Sequence, residues 1–165
     1  MDKPYDTKAL MALIIDDIKQ ETGIDCFVAD SVGPQQKYPF FTFDFVDPHI
    51  NLPFTDNVDF EQFEMAIHFD AHAKSIYTAT DLANQLTKLF KTQAFSLLAE
   101  QNNFYVIDSD SVESTDNVIS IQVEYRAGFE LHLRICDSFQ DDIQTIDSVD
   151  INGTSLSAKN TQEKG

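Results

Sequence analysis

The sequence has little positive charge. Its 165 residues include 11 Lys and Arg against 28 Asp and Glu, for a formal net charge of −17. An acidic surface of this kind repels phosphate, which argues against a protein that grips nucleic acid. It is compatible with a channel through which DNA slides, because repulsion keeps a duplex from sticking to the wall. Solubility alone also accounts for such a charge.

Glycine and cysteine are scarce as well. Five glycines leave little material for loops that cradle phosphates, and the P-loop, G-x-G-x-x-G and G-x-S-x-G motifs are missing. The two cysteines, Cys26 and Cys136, stand in separate predicted strands without metal-ligand spacing, which predicts small buried side chains. These absences argue against an enzyme, and we expect no cofactor and no metal.

Long hydrophobic runs are absent. The longest, from Leu10 to Ile15, falls far below the roughly 18 to 20 residues of a membrane span. The opening residues, Met1 to Asp6, include two acids and no apolar stretch, so we expect no secretory signal and no membrane partner. These features predict a cytosolic protein.

The apolar residues that are present predict one α+β domain. Hydrophobic residues make up 42% of the chain and include 14 Phe, enough for a core. Their spacing predicts two principal helices packed on a mainly antiparallel sheet. We predict a single domain over residues 1–151 and a disordered tail over residues 152–165. The predicted helices run from a cap at Asp6 or Thr7 to Gly23 and from Ser75 to about Lys91, and a helical turn is predicted near 96–101. Strands are predicted near 24–29, 38–46, 59–70, 104–107 and 146–151. Irregular loops are predicted at 47–57 and 108–117.

The strongest pattern covers Ile119 to Ile135, where every odd position is apolar and nearly every even position is polar. A two-residue hairpin or a single bulge would shift this phase, and no shift occurs. The pattern predicts one very long strand, about 55 Å at roughly 3.3 Å per residue. Such a strand exceeds the sheet of a small domain, so a neighbouring subunit is expected to cover it. A hairpin with a three-residue loop would preserve the alternation too.

Two segments resemble metal sites. His68, Asp70 and His72 would share one face of a strand, but alternate strand residues stand nearly 7 Å apart, too far to converge on one ion. The segment from Asp108 opens like a calcium-binding loop. It fails at the sixth position, Glu113, where the turn needs Gly, and at the twelfth, Ile119, where a bidentate Glu belongs. We interpret the first as a solvated face and the second as a loose acidic loop.

Three stretches carry a family likeness: Tyr38-Pro39-Phe40, the Phe-rich strand before the second helix, and Tyr125 to Ile135. They resemble the neck and tail-terminator proteins of long-tailed phages, specifically the neck-terminator-like group found in many prophages. The third stretch is similar to a Tyr/Arg-rich, Gly-Phe-acid, alternating strand of that family. The likeness extends from about Lys8 to Ile151. The departure is Ala127, where the family pattern has a bulkier or basic residue before the glycine.

This resemblance implies a tail-terminator-like fold and a structural virion protein of the neck, present in the host cytoplasm during assembly. It implies a ring of copies, often hexameric, that closes the tail tube and joins it to the head-completion or stopper proteins, with DNA only passing through. A closed ring needs one surface to bind a different surface on the next copy. We expect these surfaces in the 47–57 loop and at the ends of the long strand. The candidate residues are Ile50, Leu52, Phe54, Ile119, Ile121, Arg126 and Arg134.

Two alternatives remain open at this point. The chain fits another small α+β part of phage morphogenesis, such as a head-tail adaptor or a tail-completion protein. A small metal-dependent hydrolase that uses His68, Asp70 and His72 is the alternative from a different class.

Overall fold

A computed structural model of the chain describes residues 5–30, 36–53, 58–117, 124–141, 148–151 and 154–157. Within these residues the chain forms three α-helices and eight β-strands. Their order is α1 (Thr7–Thr22), β1 (Cys26–Val28), β2 (Phe40–Asn51), β3 (Gln62–Ala73), α2 (Ile76–Leu89), α3 (Gln93–Gln101), β4 (Phe104–Ser109), β5 (Glu113–Asn117), β6 (Glu124–Cys136), β7 (Ser148–Ile151) and β8 (Thr154–Ser157).

Six strands form one mixed sheet. Five of them have the order β1-β2-β3-β6-β4, and β5 pairs with β6 at residues 124–128, next to the stretch that pairs with β4. Only the β1–β2 pair is parallel among the pairs of this sheet that the structure describes; the others are antiparallel. The prediction of an α+β fold with a mainly antiparallel sheet is therefore confirmed. Strands β7 and β8 form a separate antiparallel pair. The domain bounds and the tail predicted over residues 152–165 stay predictions.

Helix α1 has the predicted start and end. The side chain of Asp6 accepts a hydrogen bond from the Ala9 backbone N–H at 3.0 Å, which satisfies one of the free donors of the first turn. Gly23 ends the helix in the left-handed conformation, with φ of 73°, which glycine adopts without a steric penalty. One stripe of the helix is buried, made of Leu10, Met11, Ile14 and Ile18.

All three helices share one core with the sheet. Helix α2 packs on β3 and β6, α3 packs on β4, and α1 contacts β1 and α2. In β3 the alternating residues Phe63, Met65, Ile67 and Phe69 are buried on this face, as predicted. The Phe69 ring lies 5.4 Å from that of Phe90 and 6.0 Å from that of Phe129. Burial of one such side chain contributes about 1.5–3 kcal/mol, so this face supplies most of the apolar stabilisation.

Helix α2 follows the prediction and α3 exceeds it. The predicted stripe of α2 is buried at Ala79, Ala83, Leu86 and Leu89, whereas Ile76 is exposed. The helical turn predicted near residues 96–101 is a nine-residue helix, whose first turn is capped by the Thr92 hydroxyl. The sheet therefore carries three helices and not two.

The irregular loop predicted at residues 47–57 is wrong in its first part. Strand β2 continues to Asn51 and stays paired with β3, although the register shifts between Phe45 and Asp47 and again between Asp47 and Ile50. Pro48 lies inside this shifted region, where a missing ladder donor is tolerated. The shifts explain why the sequence pattern looked irregular there.

Strand β6 runs unbroken from Glu124 to Cys136, so no hairpin loop interrupts these thirteen residues. The first five residues of the predicted strand, 119–123, lie outside the described residues, and the full length stays a prediction.

The irregular loop predicted at residues 108–117 is wrong in its last part. Residues Glu113–Asn117 form β5, antiparallel to β6, with Asn117 opposite Glu124.

The argument that this strand needs cover from a neighbouring subunit is wrong for Glu124–Cys136. Strand β3 pairs with β6 from Tyr125 to Cys136. On the other side β4 pairs with residues 131–135 and β5 with residues 124–128. The chain therefore pairs most of both edges of β6 by itself, and self-assembly has to be argued from side chains.

The cysteines are unpaired and differ in burial. Burial raises the pKa of the Cys26 thiol to about 12, which leaves it protonated and unreactive near neutral pH. Cys136, at the end of β6, is half-buried, so the prediction of a buried side chain holds for Cys26 alone. Among the helices described, none has the length and apolar character required to cross a membrane.

Candidate functional site

The face of the sheet opposite the helices carries the polar residues of the alternating strands. We call it the helix-free face. It contains three of the four histidines in the chain together with carboxylates and two arginines. Its members on the three central strands are Thr42 and Asp44 of β2, Glu64, His68, Asp70 and His72 of β3, and Glu124, Arg126, Glu130, His132 and Arg134 of β6.

His72 is the centre of a buried polar network. Its Nε2 lies 2.8 Å from the Thr42 hydroxyl, its Nδ1 contacts a carboxylate oxygen of Glu124, and its ring stacks on Phe40 at 4.5 Å. The arrangement fits a tautomer in which Nδ1–H donates to Glu124 and Nε2 accepts from Thr42. The same three group types form hydrolytic triads, but Thr42 and His72 are both buried and offer a substrate no open side. The network therefore joins three strands.

His68 and Asp70 form a second pair, with 3.3 Å between Nε2 and Oδ1. The hydrogen bond to Asp70 raises the pKa of His68, and this effect exceeds the opposing effect of burial. Burial works to raise the pKa of Asp70. The hydrogen bond to His68 and the charges of His68, His72 and Arg126 outweigh it, and the pKa of Asp70 is lowered. Both shifts favour the charged pair.

Gly128 makes room for that pair. It lies opposite Asp70 in the β3–β6 register. A Cβ at this position would stand 2.2 Å from Asp70 Oδ1 and 2.8 Å from both His68 Nε2 and the Phe69 carbonyl oxygen. The glycine is thus required by close approach of its neighbours.

The two arginines predicted as interface residues both lie on the helix-free face. Arg134 is directly opposite Glu64, and its guanidinium donates to the carboxylate at 2.6 Å. Arg126 is opposite His72, with its Nε 3.8 Å from Glu124. In each arginine the Nε atom is buried without a hydrogen-bond partner, while part of the side chain reaches solvent. Both arginines therefore have partners inside the chain, and part of each side chain remains exposed.

The predicted apolar interface residues are only partly described. Ile50, half-buried in β2, lies opposite Glu64, so Ile50, Glu64 and Arg134 form one row across three strands. Leu52 follows this row and is half-buried. Phe54, Ile119 and Ile121 lie outside the described residues. The structure thus brings Ile50 and Arg134 together, whereas Arg126 lies eight residues away along β6.

Comparison with protein families decides what kind of molecule carries this face. The family model of the phage neck terminator protein matches residues 8–158. The chain belongs to the phage neck terminator family. A search of curated proteins finds no match to the chain. The resemblance predicted from the sequence is confirmed, and the chain is a structural protein of the phage neck or tail, hence a virion component.

The metal ligands weighed from sequence do not converge in this family member. His68 and Asp70 bond to each other, whereas His72 bonds to Thr42 and contacts Glu124. The segment at Asp108 that resembles a calcium loop is split between β4 and β5. Neither arrangement presents a set of free ligands to an ion.

A different trio lies closer together on the helix-free face. Oxygens of Asp110 and Glu130 each stand 3.9 Å from His132 Nε2, and the two acids line a cavity of about 340 Å³. No local pattern predicts this trio, because Asp110 reaches Glu130 only through the pairing of the β4 end with β6, where its N–H donates to the Glu130 carbonyl. Asp110 is exposed, and two acids with one histidine do not by themselves define a site.

Sequence reasoning also missed the most exposed apolar side chains. Among the described residues these are Tyr77, at the start of α2, and Phe60, just before β3. Tyr77 occupies a helical position next to the predicted stripe. Phe60 has φ of 54°, a left-handed backbone conformation that no sequence pattern signals for an aromatic residue.

Proposed function

We propose that copies of this chain form a ring, of six subunits, that closes the end of the tail tube and joins it to the head-completion or stopper protein. The family match over residues 8–158 is the observation that carries the proposal. Assembly takes place in the host cytoplasm before the ring enters the virion. The ring surfaces include the candidate residues Ile50, Leu52, Phe54, Ile119, Ile121, Arg126 and Arg134.

The charge of the chain supports a passage for DNA and not a binding site. With a formal charge of −17 per copy, six copies present a strongly negative wall to a duplex. Like charge lowers the local concentration of DNA and prevents adhesion. We expect no measurable binding of duplex DNA at low salt, where any attraction would be strongest.

Tail tubes assembled from the tube protein of the same phage provide the test. Added protein is expected to appear by cryo-electron microscopy as a ring at one tube end and to stop tube growth from that end. Class averages along the tube axis would count the subunits. Protein that coats the tube sides, or leaves both ends bare and growing, would contradict the proposal.

The internal ion pair provides a matched control for Arg134. Arg134→Ala and Glu64→Gln both remove the ion pair between these side chains, but only the first removes the arginine. If Arg134 also contacts a neighbouring subunit, Arg134→Ala should weaken capping of tube ends by about tenfold or more while Glu64→Gln leaves it near wild type. Equal loss in the two variants would assign the arginine a role within its own chain.

A further inference from the structure

Two surfaces of opposite character lie at the two ends of β3. The first, which we call the Phe60 surface, consists of Val58 and Phe60 with Asp59, Glu61, Asp137 and Asp141. The second, the Tyr77 surface, consists of Lys74, Ile76 and Tyr77. One directly precedes β3 and the other directly follows it. The twelve residues between them separate the surfaces by about 40 Å along the strand, at roughly 3.3 Å per residue.

Each surface exposes an aromatic ring. Tyr77 is 80% exposed and Phe60 is 60% exposed, the highest values among the large apolar side chains of the described residues. Ile76 and Val58 are exposed beside them. Aromatic side chains of this kind contribute most of the binding free energy at protein interfaces when a partner covers them.

The backbone holds Phe60 outward at a cost in free energy. Its φ of 54° is rare for a bulky residue, and such a conformation persists only where the surroundings fix it. Residues 137–141 do so here. The Phe60 N–H donates to the Phe139 carbonyl at 2.9 Å, the Asp137 N–H donates to the Glu61 carbonyl at 2.8 Å, and the Asp141 N–H donates to an Asp59 carboxylate oxygen. A conformation that is strained yet firmly held indicates a functional position.

The charges around the two rings are opposite in sign. Residues 58–61 and 137–141 contain four carboxylates and no Lys, Arg or His, although Glu61 contacts His49 at 3.2 Å. At the Tyr77 surface Lys74 is exposed, and no acid occupies the first turn of α2. The Ser75 side chain makes no capping hydrogen bond, so the first backbone N–H groups of α2 add positive partial charge. Asp81 lies four residues after Tyr77 on the same face of α2, so the positive groups of this surface are at the end of α2 that follows β3.

We propose that the Phe60 surface of one copy binds the Tyr77 surface of the next copy. The contact matches apolar with apolar and acidic with basic groups, and it buries the two most exposed rings of the described chain. Because the two surfaces differ and lie at opposite ends of β3, the contact is heterologous and can repeat until a ring closes. The inference rests on the proposed function in that it assigns subunit contacts to the proposed ring.

Sedimentation velocity over a concentration series tests the contact with three variants. Phe60→Asn keeps a residue that tolerates the left-handed conformation but removes the ring, and Tyr77→Ser removes the other ring from an exposed helical position. Each is expected to raise the dissociation constant of self-association by about tenfold or more. Leu97→Ser, which changes a half-exposed side chain of α3 outside both surfaces, should associate like wild type.

A mixture of the two variants gives the sharpest result. Phe60→Asn retains an intact Tyr77 surface, and Tyr77→Ser retains an intact Phe60 surface. Equal amounts should therefore form dimers and nothing larger, whereas wild type continues to larger species. Circular dichroism checks folding, and Phe60→Gly replaces Phe60→Asn if that variant does not fold.

Three results would overturn the proposal: self-association that neither substitution weakens, variants that fail to form mixed dimers, or wild-type protein that stays monomeric up to about 1 mM, the weak end of the affinity scale. The tube-capping experiment distinguishes these from failure of the ring itself. If wild type caps tubes while both variants associate normally, only the proposed contact between the two surfaces is refuted. If wild type caps no tube end, the proposed function is refuted.

Discussion

Gly128 lies where three groups of the helix-free face leave no room for a side chain. The His68 imidazole and the Asp70 carboxylate share a hydrogen bond above it, and a Cβ at this position would lie as near to the Phe69 carbonyl oxygen as to His68 Nε2. The two side chains can rotate away from an added atom, but the carbonyl belongs to the backbone of β3 and cannot. A methyl group here therefore forces the sheet itself to shift.

Gly128→Ala should lower the free energy of unfolding by about 1–3 kcal/mol, the usual cost of an atom inserted where none fits. Urea denaturation measures the change. The double variant Asp70→Ala/Gly128→Ala should recover only part of the loss relative to Asp70→Ala, since the Phe69 carbonyl remains in place. Full recovery of stability in the double variant would contradict this account. So would a Gly128→Ala variant whose free energy of unfolding lies within about 0.5 kcal/mol of wild type.

The raised pKa of His68 gives a pH dependence of known sign. Because the pKa of His68 is higher in the folded state, this group contributes stability that is fully present below the unfolded value near 6.5, while Asp70 stays ionised, and that is lost as pH rises through the folded value. A titration of the His68 ring by NMR should give a pKa above 6.5. Asp70→Asn should return it toward 6.5, since the hydrogen bond to the carboxylate is the largest cause. An unchanged pKa in that variant would refute the assignment.

The strands of the sheet differ in how far their own sequences reveal them. Strand β3 was predicted because its apolar residues alternate and pack against α2. Strand β5, with the sequence Glu-Ser-Thr-Asp-Asn, has no apolar residue and no alternation, and it forms because β6 offers free backbone partners there. Register shifts hid the end of β2 in the same way. Pairing between distant segments, absent from any local pattern, decides these elements.

The candidate site was predictable to a similar extent. The alternation of β6 placed Arg126 and Arg134 on one polar face, as the structure has them. Their partners Glu64 and Glu124 follow from register, which the sequence does not fix. Phe60 could not be found because an exposed aromatic residue in a left-handed conformation leaves no periodic signal.

At the level of the strands, His72 links β2, β3 and β6. His72→Ala should lower the free energy of unfolding by about 2–4 kcal/mol, because it leaves the buried Thr42 hydroxyl without its imidazole partner and the Glu124 carboxylate with only the more distant Arg126. Thermal and urea denaturation both report it. His132→Ala is the matched control on the same face, where the nearest carboxylates stand 3.9 Å away, and it should cost less than about 1 kcal/mol. Equal effects in the two variants would argue against the network.

The whole molecule carries far more negative than positive charge. With a net charge of −17, self-repulsion acts against the compact state. The ion pairs of the helix-free face are half-buried and so are screened less by salt than repulsion between exposed carboxylates. Salt should therefore stabilise the fold on balance.

Raising NaCl from about 0.01 M to about 0.15 M shortens the screening length from about 30 Å to about 8 Å. The midpoint of urea unfolding should rise over this range while the slope of the transition stays constant, since urea is uncharged. A midpoint that falls with salt would show that attractive pairs outweigh repulsion. Neutral sucrose at equal osmolality serves as the control for effects other than screening.

Because β6 pairs with β3 along one edge and with β4 and β5 along most of the other, few of its backbone groups are free to pair with a strand of another copy. Neighbours that meet through side chains alone can separate and be replaced without any strand opening. A labelled copy should then exchange into a preformed assembly at the rate at which subunits dissociate from one another. This rate should not depend on the rate at which the monomer unfolds.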